Sequence, residues 1–523
     1  MEDDPAVTAP ASAGAPGTVT PVALLGVGAA VASLRLAAAD VAGAWGSGGG
    51  RGTVAVCDAD EDTLTLAWQA AGRALEAAGV APTELSGLWW GTTRPPFAEG
   101  PSTAFLSTAL GLDPGATGAL SAGSAHAGME ALLAAWDAVA AGHARVALVV
   151  ASDALVPGLG TSGEAVTGAG AAAFVLAPLD HAPGNGAGPP ARLVGRATRV
   201  MAVVDRYRGD AEAATGDVYD PRLFREEVYV PLVTATALAL ALGGDSAPPP
   251  RWAMADPDGK LAPAVAKRLG GTLVSAPVQS AVGDTGAAAA LLGAVHGLAD
   301  TEAPGVVGLI AYGGGRATAV TVETTRAVPG AVDVVAGTGR PVSYVGAVRA
   351  RGQLAPMSDP IPMGVPPAGA AFVRGNVEML AFEGARCRDC GTISTPPSIH
   401  PRCNGCGGGD LDVVALARTG RVQTFVVNQT MPPPFQAPLP MVVIDLDDGA
   451  RIMVQGSSVD ADELAIDDAV TLTLRLYATE RGIPVYGYKA FRVAPSSLDA
   501  SDENREMSGA TTRGANGAGG GGR

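Results

Sequence analysis

An α/β layered fold followed by a small β-rich module is what this sequence predicts, on three observations. From about Val19 to Gly337, short runs of branched apolar residues alternate with Ala/Leu-rich helical stretches. Strands that are apolar without alternation are buried on both faces, which requires helices on either side of a sheet. The order of elements also occurs twice, which predicts an internal duplication with a period of about 150 residues. After Thr338 the texture changes to Pro-rich spacing, two cysteine pairs and then short strands at barrel-like intervals.

Taken in order, residues 1–18 are Ala/Pro/Gly-rich and expected to be disordered. The first half of the layered domain, 19–195, opens with a strand at Val22–Val27, a helix at Asp62–Ala78 and a strand at Leu85–Trp90. A helix at Ala127–Ala141 then leads into the strand Arg145–Ala151. The second half, 196–337, repeats this grammar. Its helix Leu261–Leu269 is matched to Ala67–Ala78, and Gly286–Leu298 followed by Val306–Tyr312 mirrors Ala127–Ala141 and its strand. The apolar run Leu232–Leu242 is half the length of a membrane span and reads as a buried helix. His181–Pro190 and Ser246–Pro250 read as surface loops. A linker is expected at 338–371, a metal-binding ribbon at 372–412, a small barrel at 413–495 and a disordered tail at 496–523.

Composition narrows the function. The chain has 523 residues, too many for one ordinary core, and 47% of them are hydrophobic, so sizeable cores can form. It carries 35 Lys+Arg against 51 Asp+Glu, a net charge of −16, and only three lysines (Lys260, Lys267 and Lys489). That balance argues against binding to nucleic acid or to an anionic membrane, both of which need a basic face. The start, Met1-Glu2-Asp3-Asp4, is acidic where a secretory signal needs positive charge. Five cysteines, four of them in paired spacing, do not make a secreted disulfide framework. A cytoplasmic location is expected.

The pairs Cys387-x2-Cys390 and Cys403-x2-Cys406 are two knuckles that can bring four thiolates into a tetrahedron. Four sulfurs suit zinc and leave no open position for a substrate, so the expected role is structural. Gly391, Gly405 and Gly407 suit the tight turns of such knuckles. Cys57 and His400 are expected to be an ordinary core or loop cysteine and a loop histidine.

Three further stretches carry a resemblance: Gly91-Thr-Thr-Arg-Pro-Pro-Phe-Ala-Glu-Gly-Pro-Ser-Thr-Ala, Ala125-His-Ala-Gly-Met-Glu-Ala and Asp256-Pro-Asp-Gly-Lys260. With Asp60-Glu-Asp-Thr-Leu-Thr-Leu-Ala and Gly283-Asp-Thr-Gly, they make residues 20–330 resemble the thiolase superfamily, in particular archaeal-type 3-hydroxy-3-methylglutaryl-CoA synthase. The resemblance implies a duplicated five-layer α-β-α-β-α fold, acyl-CoA as ligand and a homodimer through this half. Residues Phe372–Val493 resemble the zinc-ribbon and OB-fold module that accompanies acyl-CoA enzymes, on Cys387-Arg-Asp-Cys390, Cys403-Asn-Gly-Cys406, Gly420-Arg-Val-Gln-Thr-Phe and Val443-Ile-Asp-Leu-Asp-Asp-Gly-Ala. In relatives that module bridges a thiolase and a synthase; here it is fused. OB folds that bind nucleic acid need a basic groove with stacking aromatics. This one is acidic around Asp445–Asp448 and Asp460–Asp468.

The family's chemistry uses a cysteine nucleophile, a glutamate base and a histidine. By their flanking residues, the matching positions here are Ala125, Thr93 and Ala255, so all three are substituted. Threonine is no base near neutral pH, and alanine can do neither of the other jobs. Lys260 matches a lysine that contacts CoA in the family, where an ammonium suits a phosphate. Asp284 stands where the family has asparagine. The expectation is therefore an acyl-CoA-holding protein that docks a thiolase-type enzyme. The alternative is an active acyltransferase or C–C lyase of Claisen or retro-aldol type using displaced residues, with Ser124–His126, Tyr229 and Tyr312 as candidates.

Overall fold

The structure is a computed structural model that describes residues 20–47, 50–181, 188–209, 212–216, 220–242, 249–299, 305–336, 339–354, 369–431, 435, 437–457, 461–480 and 482–493. The two terminal stretches, 1–18 and 496–523, lie outside the described residues. The chain divides into two compact units, Met1–Ala381 with Leu474–Gly487, and Phe382–Thr473 with Tyr488–Arg523.

The first unit begins with β1 (Val22–Val31), β2 (Leu34–Ala37), α1 (Ala38–Trp45), β3 (Thr53–Val56) and α2 (Thr63–Ala78). It continues through β4 (Gly87–Gly91), α3 (Ser102–Leu110), β5 (Thr117–Ser121), α4 (Ala127–Ala140), β6 (Ala147–Ala154) and β7 (Ala169–Pro178). The second half has β8 (Ala191–Val200), a turn of α5 (Pro221–Leu223), a π-helical stretch Phe224–Tyr229, then α6 (Val230–Leu242), β9 (Arg251–Met254) and α7 (Ala262–Leu269). It closes with β10 (Thr272–Leu273), α8 (Ala276–Ala281), α9 (Ala289–Ala299), β11 (Gly305–Gly313) and β12 (Arg316–Thr324).

The ten main strands are ordered β10-β9-β11-β12-β8-β1-β7-β6-β4-β5. Read outward from the centre, each half has the same sequence of pairings: β1-β7-β6-β4-β5 and β8-β12-β11-β9-β10. Directions agree as well. β4 runs parallel to β5 and β6, and β9 parallel to β10 and β11; β6–β7 and β11–β12 are antiparallel. The halves meet where β1 pairs antiparallel with β8 over Val22–Leu24. The duplication is thus a pseudo-twofold repeat. It corrects one match: the counterpart of α2 is α6, each following the first strand of its half, while α7 corresponds to α3. The small-residue helices α4 and α9 do correspond, and they form the central layer of the five, between the two half-sheets.

Small residues set that layering. Asp62 caps α2 by accepting from the Thr65 N–H at 2.9 Å, while Thr65 Oγ1 accepts from the Asp62 N–H at 2.8 Å. α2 then lies so close to β1 that a Cβ on Gly28 would sit 2.3 Å from the Ala70 carbonyl oxygen. The central pair is equally tight, since a Cβ on Gly128 of α4 would sit 2.1 Å from the Ala287 carbonyl oxygen. Alanine and glycine over-use therefore does structural work, because helices and strands approach closely only where side chains are minimal. α6 is an outer helix and is not buried all round: Val233 and Ala237 are buried, but Leu238 is 46% exposed. Within the unit, Tyr486 also donates to Asp62 Oδ2 at 2.5 Å.

Residues 339–354 carry β13 (Arg340–Pro341), parallel to β2, and α10 (Tyr344–Ala350), capped by Ser343. Val342, Ala347 and Ala350 pack against Leu34, Leu36 and Val54, which is why the start of the expected linker is ordered structure. Its Pro-rich centre, 355–368, lies outside the described residues. α11 (Ala370–Ala381) completes this unit, so a helix occupies the first ten positions assigned to the ribbon.

In the second unit, β14 (Glu383–Cys387), β15 (Ile393–Ser394) and β16 (Leu411–Ala415) form a three-stranded antiparallel ribbon. β17 (Thr419–Asn428), β18 (Leu439–Leu446), β19 (Arg451–Gln455), β20 (Ala469–Glu480) and β21 (Ile483–Arg492) form a sheet ordered β19-β18-β17-β20-β21, in which the stretch Leu474–Gly487 is counted with the first unit. A parallel bridge from Gly456 to Ala490 brings the two edges together and nearly closes the barrel. All five strands lie between Thr419 and Arg492. Among the described residues no helix is long and apolar enough to cross a membrane.

Candidate functional site

Parallel strands in α/β folds present ligand sites at their carboxyl ends, and here these ends open on one cleft of about 760 Å³ in the first unit. Past β4 come Thr92, Thr93 and Arg94. Past β5 come Gly123, Ser124 and Ala125, which lead into α4. Past β9 come Pro257, Asp258, Lys260 and Leu261, and β11 ends in Gly313 with Gly314 next. Thr93, Ala125 and Lys260 all line the cleft. Ala255 does not. It is 4% exposed, its N–H donates to the Ile310 carbonyl at 2.9 Å, and its own carbonyl accepts from the Tyr229 hydroxyl.

Thr93, the residue that the sequence resemblance matches to a catalytic base, donates its hydroxyl to the Asp153 carboxylate, with both oxygens at 2.8 Å. Asp153, at the end of β6, is fully buried and also accepts from the Ala287 N–H at 2.9 Å and the Thr93 N–H at 3.3 Å. Burial pushes its carboxyl up to about 6, against the opposing pull of these donors and of Arg94. Asp153 was not legible as a site residue: it sits in an apolar run, Leu148–Ala154, and only the fold brings it under Thr93.

The Ser124–His126 pair does not assemble. His126 is buried and turned away from Ser124, with Nε2 2.8 Å from Thr318 Oγ1 and Nδ1 3.3 Å from Glu130. Ser124 Oγ accepts the His126 backbone N–H, at 3.2 Å. The fifth cysteine offers no substitute thiol either. Cys57 is outside the cleft lining, and its desolvated surroundings beside Glu61 and Asp62 push the thiol well above its ordinary range.

Asp284 is compensated by a residue that sequence reading passed over. It forms an ion pair with Arg206 at 2.5 Å and accepts from the Gly286 N–H at 3.0 Å; Arg206 also donates to the Pro257 carbonyl at 3.0 Å. Arg206 thus ties the loop after β8 to the loop after β9. Asp256 closes the start of α7, accepting from the Leu261 and Ala262 N–H groups at 3.2 and 3.1 Å. Burial and the nearby Asp258 carboxylate push it up to about 7. Lys260 is exposed, and its backbone N–H donates to Asp258 Oδ1 at 2.7 Å. Lys267 and Arg268 lie on the outer part of α7, away from the cleft lining.

The cleft wall is amphipathic. Leu155, Val166, Phe224, Leu261 and Tyr312 supply apolar surface, and Arg51, Arg94, Arg206, Arg208 and Lys260 supply positive charge. Phe224, Tyr229 and Tyr312 stack edge-on, with the two tyrosine rings 5.2 Å apart. Burial and the neighbouring Asp205 raise the Tyr312 phenol, so it stays protonated. Of the two tyrosines proposed from sequence, only Tyr312 lines the cleft.

In the second unit Cys387, Cys390, Cys403 and Cys406 converge, with all four Sγ atoms within 4.8 Å of one another. Cys387–Cys406 and Cys390–Cys403 are 3.6 and 3.5 Å apart. A disulfide would need about 2 Å, whereas a tetrahedron on Zn–S bonds of about 2.3 Å has edges of about 3.8 Å. The Gly405 N–H donates to Cys403 Sγ at 3.3 Å, as a knuckle turn should. The donor set therefore fits a zinc ion. His400 is not part of the cluster.

Comparison with known proteins agrees with both halves. Residues 413–475 match the family model described as the C-terminal OB-fold domain of ChsH2. The hydroxymethylglutaryl-CoA synthase of Pyrococcus horikoshii is 33% identical over 156 residues, covering 30% of this chain and 45% of that protein. The corresponding enzyme of Thermococcus kodakarensis is 34% identical over 158 residues, again 45% of its length. The chain thus spans about half the length of the curated relatives it matches, and over that span it is homologous to them. Among solved structures, MvaS in complex with 3-hydroxy-3-methylglutaryl coenzyme A superposes with a TM-score of 0.56 at 22% identity, over 66% of this chain and 95% of that one. HMG-CoA synthase complexed with CoA gives 0.56 at 17% identity, over 65% and 92%. These structures establish a thiolase-like fold.

Proposed function

We propose that this protein holds an acyl-CoA in a synthase-like cleft without passing through an acyl-enzyme, and that its ribbon and OB-fold unit docks a thiolase-type enzyme. The observation that carries the reading is the cleft itself. Its fold and amphipathic wall suit a thioester with an anionic head, yet Thr93 and Ala125 stand where a base and a thiol would be needed. The neighbouring His126 is engaged elsewhere. Support for the ligand comes from the structural neighbours solved with CoA and with 3-hydroxy-3-methylglutaryl coenzyme A. Lys260 is assigned to a CoA phosphate, and Cys387, Cys390, Cys403 and Cys406 to a structural zinc, which when bound crosslinks the ribbon. A cytoplasmic setting in lipid metabolism and a homodimer through the layered half belong to the same reading. β5, the exposed edge of the ten-stranded sheet, leaves backbone groups open to pairing.

Calorimetric titration with CoA and acetyl-CoA tests the ligand. Saturable binding is expected, weakened up to about fivefold in Lys260→Ala, the range of one exposed charge contact. No heat with either ligand would contradict the reading. Pull-down with mass identification tests the partner, and recovery of no thiolase-fold enzyme would contradict docking.

One observation favours a second reading, C–C bond chemistry without a nucleophile. Asp153 is a buried carboxyl pushed up to about 6 and joined to the cleft through the Thr93 hydroxyl, a proton acceptor poised near neutral pH. It predicts turnover of an acyl-CoA substrate that Ala125→Cys alters rather than creates and that Asp153→Asn abolishes.

A further inference from the structure

Residues 339–354 do not line the cleft, yet they hold one of its walls at three points. That wall is the loop between β6 and β7, which gives Ser162, Ala165 and Val166 to the lining. In its middle, Glu164 is fully buried within a single 3-10 turn. A buried carboxylate needs donors around it, and those of Glu164 come from three segments. Oε2 accepts from Trp45 Nε1, at the end of α1, at 2.9 Å and from the Gly160 N–H at 2.7 Å. Oε1 accepts from the Tyr344 hydroxyl, at the start of α10, at 2.9 Å. The Trp45 indole N–H also reaches the Tyr344 oxygen at 2.9 Å, and the two rings meet edge-on. At the ends of the loop, Gln353 donates to the Pro157 carbonyl at 2.7 Å and Arg351 to the Thr167 carbonyl at 3.2 Å.

Each end of the loop is bonded in turn to a residue that fixes a cleft arginine. Beside Pro157, the Thr215 N–H donates to the Val156 carbonyl at 2.8 Å, and Thr215 Oγ1 accepts from Arg94 at 3.1 Å. Beside Thr167, the Asp284 N–H donates to the Val166 carbonyl at 2.7 Å, and the Asp284 carboxylate pairs with Arg206. The closed arrangement is partly unfavourable. Arg351 Nη1 and Gln353 Oε1 are buried without a hydrogen-bond partner among the described residues. Burial also pulls the Arg351 guanidinium down to about 10, against the opposing charge of Glu164. Unsatisfied buried groups offset the bonds that are made, so the hold is poised to open locally. Given the cleft as an acyl-CoA site, the reading on which this rests, we propose that residues 339–354 are a clasp that sets the cleft wall for the ligand. Closure of the clasp on Glu164 and binding of acyl-CoA then strengthen each other. By linkage, the factor that closure adds to affinity is the factor that bound ligand returns to closure. No described residue of the clasp lines the cleft, so protection of the clasp by ligand reports coupling and not contact.

The test combines hydrogen exchange with calorimetry on the full chain, using CoA as the probe, for the parent, Tyr344→Phe and Gln353→Ala. Tyr344→Phe keeps the ring and removes only the hydroxyl, so it should fold, and Gln353→Ala releases one end of the loop independently. Without ligand, the amides of 158–167 should exchange about fivefold faster in either variant, the range of one lost hydrogen bond. Saturating CoA should slow the amides of 344–353 in the parent about fivefold, and its Kd should rise by about the same factor in each variant. Loop exchange unchanged in both variants would overturn the clasp. CoA binding by the parent without protection of 344–353, and with Kd unchanged in the variants, would overturn the coupling while leaving the acyl-CoA reading intact. No CoA binding by the parent would overturn both.

Discussion

Asp153 concentrates the physical chemistry of the cleft in one side chain. Its carboxyl is pushed from an ordinary 3.8 up to about 6 by burial, so the folded state holds its proton more tightly than the unfolded chain does. The ionised form therefore costs stability. Stability should be greatest below about pH 4, fall as the pH rises through about 6 and level off above, a change of about 3 kcal/mol for a shift of about two units. Asp153→Asn should remove that part of the slope and be the more stable protein at pH 7. Urea midpoints between pH 4 and 8 measure it, and parallel slopes in the two proteins would disprove the assignment. Asp256 contributes a slope of the same sign, but it is common to both proteins. At this scale the sequence was only partly informative. The proposed substitutions at Thr93, Ala125 and Ala255 are read from flanking motifs alone. Asp153, Arg94, Arg206 and Arg208 were not legible, because their roles come from which loops the sheet brings together.

Elements repeat the lesson of size. β1 and α2 approach so closely that Gly28 has no room for a methyl group. Gly28→Ala should push the helix away and cost about 1–3 kcal/mol, as overpacking does in cores. Gly43 in α1 has nothing within 4 Å of where its Cβ would be. Gly43→Ala should be neutral, or stabilising by up to about 1 kcal/mol through helix propensity. Thermal melts of the two variants check the pair, and equal effects would contradict the packing account. Strand and helix positions were readable because continuous apolar runs and caps such as Asp62 are local signals. The matching of helices between halves was not, since α2, α6 and α7 share an Ala/Leu texture, and only strand order shows that α6 is the counterpart of α2.

For the whole molecule, the 72 glycines are the compositional feature with a structural counterpart. The structure gives part of them a purpose in close-packed layers. The cysteine knuckles were the most legible feature because ligand spacing encodes geometry directly. They predict one zinc per chain by elemental analysis and a lower melting temperature after chelation, since a structural zinc can contribute on the order of 10 kcal/mol. A metal-free protein with unchanged melting would contradict the ribbon assignment. The central claim, that the cleft holds an acyl-CoA without becoming acylated, is tested most directly by intact-mass spectrometry of the protein incubated with acetyl-CoA, sprayed first under native and then under denaturing conditions. A ligand adduct is expected in the native spectrum and the unmodified chain mass after denaturation. An acetyl group retained on the denatured chain, or no adduct in the native spectrum, would contradict it.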